Sequence, residues 1–393
     1  MEDKISQMMM LSFRGWGEDE CAPVPELNDV MERYLRETHP GGVVLFRENC
    51  RDAEQTLRLT TAMQEANRAG ESPAELMIAT DQEGGMVTRI SYGTAGPGNR
   101  ALADTGKPEN AYRMGQIIGR ELQALGINAD LAPVADLSTN PANPIIGARS
   151  FGEDPLKTEA FVIAFQKGLH SEKIISTLKH FPGHGNTEKD SHILLPRVES
   201  STEELWNNEL IPFRGGIRHG ADMVMMAHIQ YPRLEKACAL SLKTGKPIIV
   251  PATMSEKIIR HLLRGRLGFE GVVLSDALEM KAVSTYFHWD DVFAMMINAG
   301  VNMMLMPAIF NECDLVTVEM LRQRILSMTL NGRIRRERIE DSAGRILELK
   351  ERYGLLDGKE YGVDEAAVLR AKKIVGCESH QRAVRKMLCD EGG

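Results

Sequence analysis

Residues 271–276 read Gly-Val-Val-Leu-Ser-Asp, a short apolar run closed by a carboxylate. The same pattern recurs along the chain as GGVVLF (41–46), LMIATD (76–81), INADLAPVAD (127–136), STLKHF (176–181), MVMMAH (223–228) and MMLMP (303–307). Helix-length stretches with helical periodicity lie between these runs, such as 52–69 and 107–125. Strands that are apolar on both faces belong to a parallel sheet covered by helices on each side. Seven or eight strand–helix units in about 310 residues predict an α/β fold of the closed, TIM-like (β/α)8 barrel type. A doubly wound open sheet is the alternative, but no GxGxxG follows any run, which weakens a dinucleotide site. Several runs end on an ionisable group: Asp81, Asp136, His180, His228 and Asp276. In a barrel these ends converge on one mouth, where active sites are built.

Beyond about residue 335 the sequence turns helical and charged, then passes through DGKEYG to a second amphipathic stretch, 363–388. The expected organisation is a catalytic barrel over 1–340 with a helical extension over 341–393 packed on it, not a second catalytic domain. No solenoid repeat or low-complexity tract interrupts the chain.

Composition narrows the function. With 43% hydrophobic and 26% charged residues the chain is ordinary globular protein, which excludes collagen-like and disordered classes. Its 47 basic and 55 acidic residues leave a net charge of −8, so neither nucleic acid nor an anionic membrane is an expected partner; a small polar ligand is. Six cysteines are scattered without a CxxC pair, which suggests reduced thiols rather than a zinc ribbon or disulfide framework. The first twenty residues lack a basic segment followed by a cleavage site, and no stretch reaches the ~18 apolar residues of a membrane span. A cytoplasmic location is the expectation.

The densest chemistry is Lys179-His180-Phe181-Pro182-Gly183-His184-Gly185, continuing to Asp190-Ser191-His192. Three of the ten histidines fall within this one loop. His180, His184, Asp190 and His192 are all acceptable metal ligands, but Phe-Pro-Gly inside the His-x-x-x-His pair excludes the helical zincin geometry. Alternatively Asp190 holds the His192 imidazole in one tautomer and makes it a general acid/base, or Asp190 merely caps the next segment. Asp276 can be a helix cap, a metal ligand or a nucleophile; a carboxylate and an assisted acid at one mouth are what retaining glycoside cleavage needs. Asp81-Gln82-Glu83-Gly84-Gly85 with Arg89 is either a tight turn or a site where Asp81 and Arg89 bind vicinal hydroxyls. Arg149, between Gly147 and Gly152, either pairs with a surface acid or anchors a polar substrate. Clustered methionines such as Met223, Met225 and Met226 are expected to pack the core.

Taken in order, DQEGGMVTR, INADLAPVADL, NPIIGARSFGEDP, STLKHFPGHGNTEKDSH, MVMMAHIQYP and GFEGVVLSDALEM resemble glycoside hydrolase family 3, in its single-domain β-N-acetylglucosaminidase branch. The resemblance spans roughly residues 5 to 355, and KHFPGHG followed by Asp-Ser-His is its most specific part. It implies a TIM-like barrel needing no metal or cofactor, with Asp276 as nucleophile and His192 as acid/base tuned by Asp190. It further implies that Asp81, Arg89, Arg149, Lys179 and His180 hold the terminal sugar, with His228 a further candidate. An imidazole suits the acid/base role because it titrates near neutral pH, whereas a carboxylate needs its pKa raised.

Three positions depart from the family pattern: Asn302 replaces a frequent Asp and is expected to alter the pocket floor, Asn186 replaces another with mild effect, and Met86 stands where a basic residue is common. The implied activity is exo-acting, retaining removal of terminal β-linked N-acetylglucosamine, with peptidoglycan-derived fragments as substrate. The competing expectations are a β-glucosidase or phosphorylase on the same scaffold, a metal-dependent hydrolase using His180, His184 and His192, and a catalytically silent sugar-binding protein.

Overall fold

The computed structural model describes residues 1–16, 22–70, 72, 74–187, 195–309 and 314–389. Eight parallel strands follow one another around a ring: β1 (Met9–Ser12), β2 (Gly42–Leu45), β3 (Met77–Thr80), β4 (Ala129–Asp130), β5 (Thr177–Phe181), β6 (Met223–Met226), β7 (Val272–Ser275) and β8 (Met304–Ile309). Continuous ladders run β8-β1-β2-β3-β4 and β5-β6-β7. Parallel bridges join the two ladders: Ala129 to Ile175 and Val134 to Lys179 on one side, Leu274 to Met303 on the other. The barrel therefore closes, as the recurrent apolar runs predict.

Nearly every run falls where the sequence places it. The 127–136 run is the exception, because only two of its residues form regular strand. Pro133 has no N–H to give to a ladder, and the chain contacts β5 there through the Pro133 carbonyl, which accepts from Lys179 N at 3.3 Å. The first strand, from the short apolar segment near the N-terminus, completes the eight.

A helix follows each strand: α1 (Asp29–Thr38), α2 (Ala53–Ala69), α3 (Pro108–Ala124), α4 (Pro155–Ser171), α5 (Leu210–Arg218), α6 (Lys257–Arg266, with π-type hydrogen bonding), α7 (Trp289–Ala299) and α8 (Asp314–Leu330). Their starts are set by side chains where the sequence offers one. Asn28, Asp52 and Asp154 each accept from the backbone N–H three residues on, satisfying donors that the helix leaves unpaired. Strand residues Val43–Leu45, Met77–Ala79, Met223–Met226 and Val272–Leu274 are all buried, so the core lies both inside the ring and between ring and helices. The clustered methionines belong to it.

Three helices follow: α9 (Arg336–Arg352), α10 (Glu365–Ile374) and α11 (Glu378–Cys389). The amphipathic stretch 363–388 is thus two helices, broken at Gly376, whose φ of 65° is left-handed. Glu121 on α3 accepts from Gly376 N (2.9 Å) and pairs with His380 (2.8 Å), tying this segment to the barrel wall. Among the described residues no helix is long and apolar enough to cross a membrane.

Candidate active site

All eight strands point their C-terminal ends to one mouth, which holds a cavity of about 290 Å³. Asp81, Arg89, Arg149, Lys179, His180 and Asp276 line it together, with Arg14, Phe46, His184, Glu279, Met280 and Met306. Six predicted site residues, far apart in sequence, are thereby brought to one place. Asp190 and His192 lie outside the described residues.

The floor on the β3–β5 side is a buried charge network. Lys179 donates to Asp81 Oδ1 at 2.8 Å and lies 2.6 Å from Glu83 Oε1. Arg149 grips the same Glu83 with two bonds, Nε to Oε2 at 2.9 Å and Nη2 to Oε1 at 2.7 Å. Burial alone would raise the Glu83 carboxyl, but the Lys179 and Arg149 cations outweigh it and hold the pKa down at about 2. Burial likewise opposes the charge on Lys179, and Asp81 and Glu83 overcome it, so the ammonium titrates above its ordinary range. The turn that carries these acids needs glycine: Gly84 and Gly85 have φ of 83° and 62°, and a Cβ on Gly85 would meet Gly98 Cα at 2.8 Å. Arg149 pairs with an acid, as one expectation held, yet that acid is buried in the site rather than on the surface.

Asp136 organises the next strand end. Its carboxylate accepts from His180 N (3.1 Å), His180 Nδ1 (2.7 Å) and His184 N (2.6 Å). This assigns the Nδ1–H tautomer to His180 and leaves Nε2 for the cavity that the ring lines. His184 packs edge-on to His180 at 5.6 Å between ring centroids. Burial, reinforced by the neighbouring His180, pushes the His184 pKa down to about 4, so it is neutral at pH 7.

Asp276 follows β7 and is half-buried. Burial raises its carboxyl, but His180 and His228 nearby and the Ala277 N–H, which donates to Oδ1 at 2.8 Å, bring it below the usual range. It is an anion at neutral pH, as a nucleophile must be.

His228 differs from its expected place. It is fully buried, Nδ1 lies 2.8 Å from Thr253 Oγ1 and Nε2 lies 3.2 Å from the Ala277 carbonyl oxygen. It is not among the described residues that line the cavity, and its Nε2 meets the carbonyl of the residue that follows Asp276. Asn302 is also not at the pocket floor. It lies ahead of β8, where its Oδ1 accepts from Arg264 Nη2 (2.7 Å) and Val273 N (2.8 Å). Met86 is exposed on the turn after β3.

Glu83 and Asp136 are the residues that sequence reasoning left without a role. Both had a signal: Glu83 is the acid inside DQEGG, and Asp136 ends an apolar run as Asp81 and Asp276 do. Among the described residues no group of three or more His, Cys, Asp or Glu side chains is arranged to hold a metal ion.

Residues 1–349 match the glycosyl hydrolase family 3 N terminal domain. The chain belongs to glycoside hydrolase family 3. It is 36% identical over 396 residues to beta-hexosaminidase A of Pseudoalteromonas piscicida, covering 96% of this chain and 64% of that protein. It is 32% identical over 336 residues to the beta-N-acetylglucosaminidase/beta-glucosidase of Cellulomonas fimi, covering 85% of this chain and 56% of that one. The structure of a family 3 beta-N-acetylglucosaminidase from Paenibacillus sp. str. FPU-7 superposes with a TM-score of 0.85 at 34% identity, over 98% of this chain and 68% of the other. This family 3 chain thus spans roughly two thirds or less of these relatives' lengths.

Proposed function

We propose that this family 3 protein is an exo-acting, retaining β-N-acetylhexosaminidase that removes terminal β-linked N-acetylglucosamine. The observation that carries the reading is a carboxylate held anionic at the mouth of a cavity whose floor is closed by the buried, mutually paired Lys179, Glu83 and Arg149. A closed floor accepts a chain end rather than a chain interior, which makes the cleavage exo. The names of relatives on either side of the glucosaminidase and hexosaminidase description support the sugar.

In this reading an Asp276 oxygen attacks the anomeric carbon while His192, steadied by Asp190, gives its proton to the departing glycosidic oxygen. His192 then takes a proton from water, the water oxygen attacks the same carbon, and the Asp276 ester bond breaks with net retention. Asp81 and Arg89 hydrogen-bond the sugar hydroxyls, Lys179, Arg149 and His180 hold their geometry, and His228 supports the nucleophile from behind. We read 1–340 as the catalytic barrel and 341–393 as an extension, although α9 runs across that boundary. Peptidoglycan-derived fragments in the cytoplasm are the proposed substrate and setting.

The test is release of nitrophenol from the β-N-acetylglucosaminide and the β-glucoside, with chelator and with added phosphate. Turnover of the acetamido sugar, indifferent to chelator, is expected, and Asp276→Ala should lower kcat by at least about 10⁴-fold while retaining sugar binding. Loss of activity to chelator would overturn the mechanism, and sugar 1-phosphate as product would make the enzyme a phosphorylase.

A further inference from the structure

Beneath the charge network lies a carboxyl that the mechanism does not use. Asp130 ends β4, is fully buried, and accepts one hydrogen bond, from Gln82 N to Oδ1 at 2.9 Å. Among the described residues its Oδ2 has no hydrogen-bond partner. The charged groups facing it are Lys179 from β5 and Asp81 and Glu83 from the turn after β3. Lys179 is already taken by Asp81 and Glu83, and Arg149 by Glu83, so among the described residues no cation pairs with this third acid. A buried carboxylate with a bare oxygen and no counter-ion is the costliest state such a group can occupy, and protonation removes most of that cost.

We propose that Asp130 is held as a neutral acid and acts as a positioning residue for the sugar-holding turn, an inference that rests on the proposed role of Asp81 and Arg89. Its Oδ1 fixes the Gln82 N–H, and the Gln82 side-chain oxygen in turn accepts from Arg89 N (2.9 Å) and Ile90 N (3.1 Å). Asp130 thus holds Gln82, and Gln82 links both flanks of the turn, Asp81 just before it and Arg89 seven residues on. Burial drives the Asp130 carboxyl well above its ordinary range, in keeping with this state. An ionised Asp130 would compete with Asp81 and Glu83 for Lys179 and disturb the network it supports. Asp130 is protonated below its raised pKa and ionises only as pH climbs through it, so sugar affinity falls on the alkaline side of that pKa.

Asparagine keeps the acceptor oxygen without the acid, which separates the two roles. Infrared spectra of the full chain at pH 7 should show a protonated-carboxyl C=O band that D130N lacks. In steady-state kinetics on the nitrophenyl β-N-acetylglucosaminide, D130N should keep kcat/KM within about threefold of the parent, and its KM should no longer rise at alkaline pH. D130A should raise KM about tenfold or more with a smaller change in kcat. A band unchanged in D130N, or D130N as impaired as D130A, overturns the proposal. An inactive parent enzyme would instead sink the glucosaminidase reading, while the infrared comparison still decides the state of Asp130.

Discussion

Glu83 is where residue chemistry decides the site. It is buried, yet it faces two cations, and each of its oxygens is hydrogen-bonded. Breaking such a cluster from one side leaves uncompensated charge, which costs more than the cluster itself gains. Glu83→Gln should therefore lower stability by about 3–5 kcal/mol in urea denaturation at pH 7, and should weaken sugar binding as well. Its pKa is lowered from 4.5 to about 2, so its contribution is complete above pH 4.5 and is lost as pH falls from there towards 2. The acid limb of stability should accordingly flatten in this variant. DQEGG signals a turn with acids in it, but not which acid is buried. That depends on Lys179 and Arg149, 96 and 66 residues away, and no local pattern carries such a distance.

At the scale of elements, α3 and α4 show how close packing reverses a propensity. Glycine inside a helix normally costs about 1 kcal/mol relative to alanine. Yet Gly115 and Gly168 sit where the two helices touch: a Cβ on Gly168 would lie 2.2 Å from the Tyr112 carbonyl oxygen, and one on Gly115 2.3 Å from that of Phe165. Backbone atoms cannot step aside as a flexible side chain can, so the clash outweighs the propensity. Gly168→Ala should destabilise by about 1–3 kcal/mol, read as a lower denaturation midpoint. Gly344 in α9 has nothing within 4 Å of its added Cβ, and Gly344→Ala should stabilise by up to about 1 kcal/mol. The positions of α2 and α3 were legible from periodicity almost to the residue, because burial of one face imposes that period. The interface between α3 and α4 was not, because the helix period says which face is inward and nothing about how near its neighbour stands.

For the whole molecule, a buried lysine stands at the end of the barrel opposite the mouth. Lys350 on α9 is fully buried and donates to Gln7 Oε1 at 2.8 Å, just ahead of β1, while Glu75 N bonds to the Leu355 carbonyl at 2.8 Å ahead of β3. Burial lowers the Lys350 pKa from 10.5 to about 7, with Glu75 offsetting part of it. The unfolded chain thus binds a proton that the folded one gives up between pH 7 and 10.5, and stability rises with pH across that window. Lys350→Met should stabilise the protein by about 1–4 kcal/mol at pH 7, somewhat reduced by the Gln7 oxygen left without this donor. The gain should shrink at pH 10, and denaturation at the two values checks it.

The sequence by itself determined the barrel, because parallel strands buried on both faces must be apolar throughout and must alternate with helices. It also determined that Asp81, His180 and Asp276 share a mouth, since strand ends in a closed barrel have nowhere else to converge. Only the tertiary structure decided how those charges are balanced: that Arg149 and Lys179 share Glu83, that Asp136 orients two histidines, that His228 meets the carbonyl next to Asp276, and that among the described residues no cation pairs with Asp130. Fold follows from the periodicity of burial, which a chain displays along its length. Charge balance depends on which groups meet across that length, at separations of 2.6 to 3.5 Å that only the packed barrel sets.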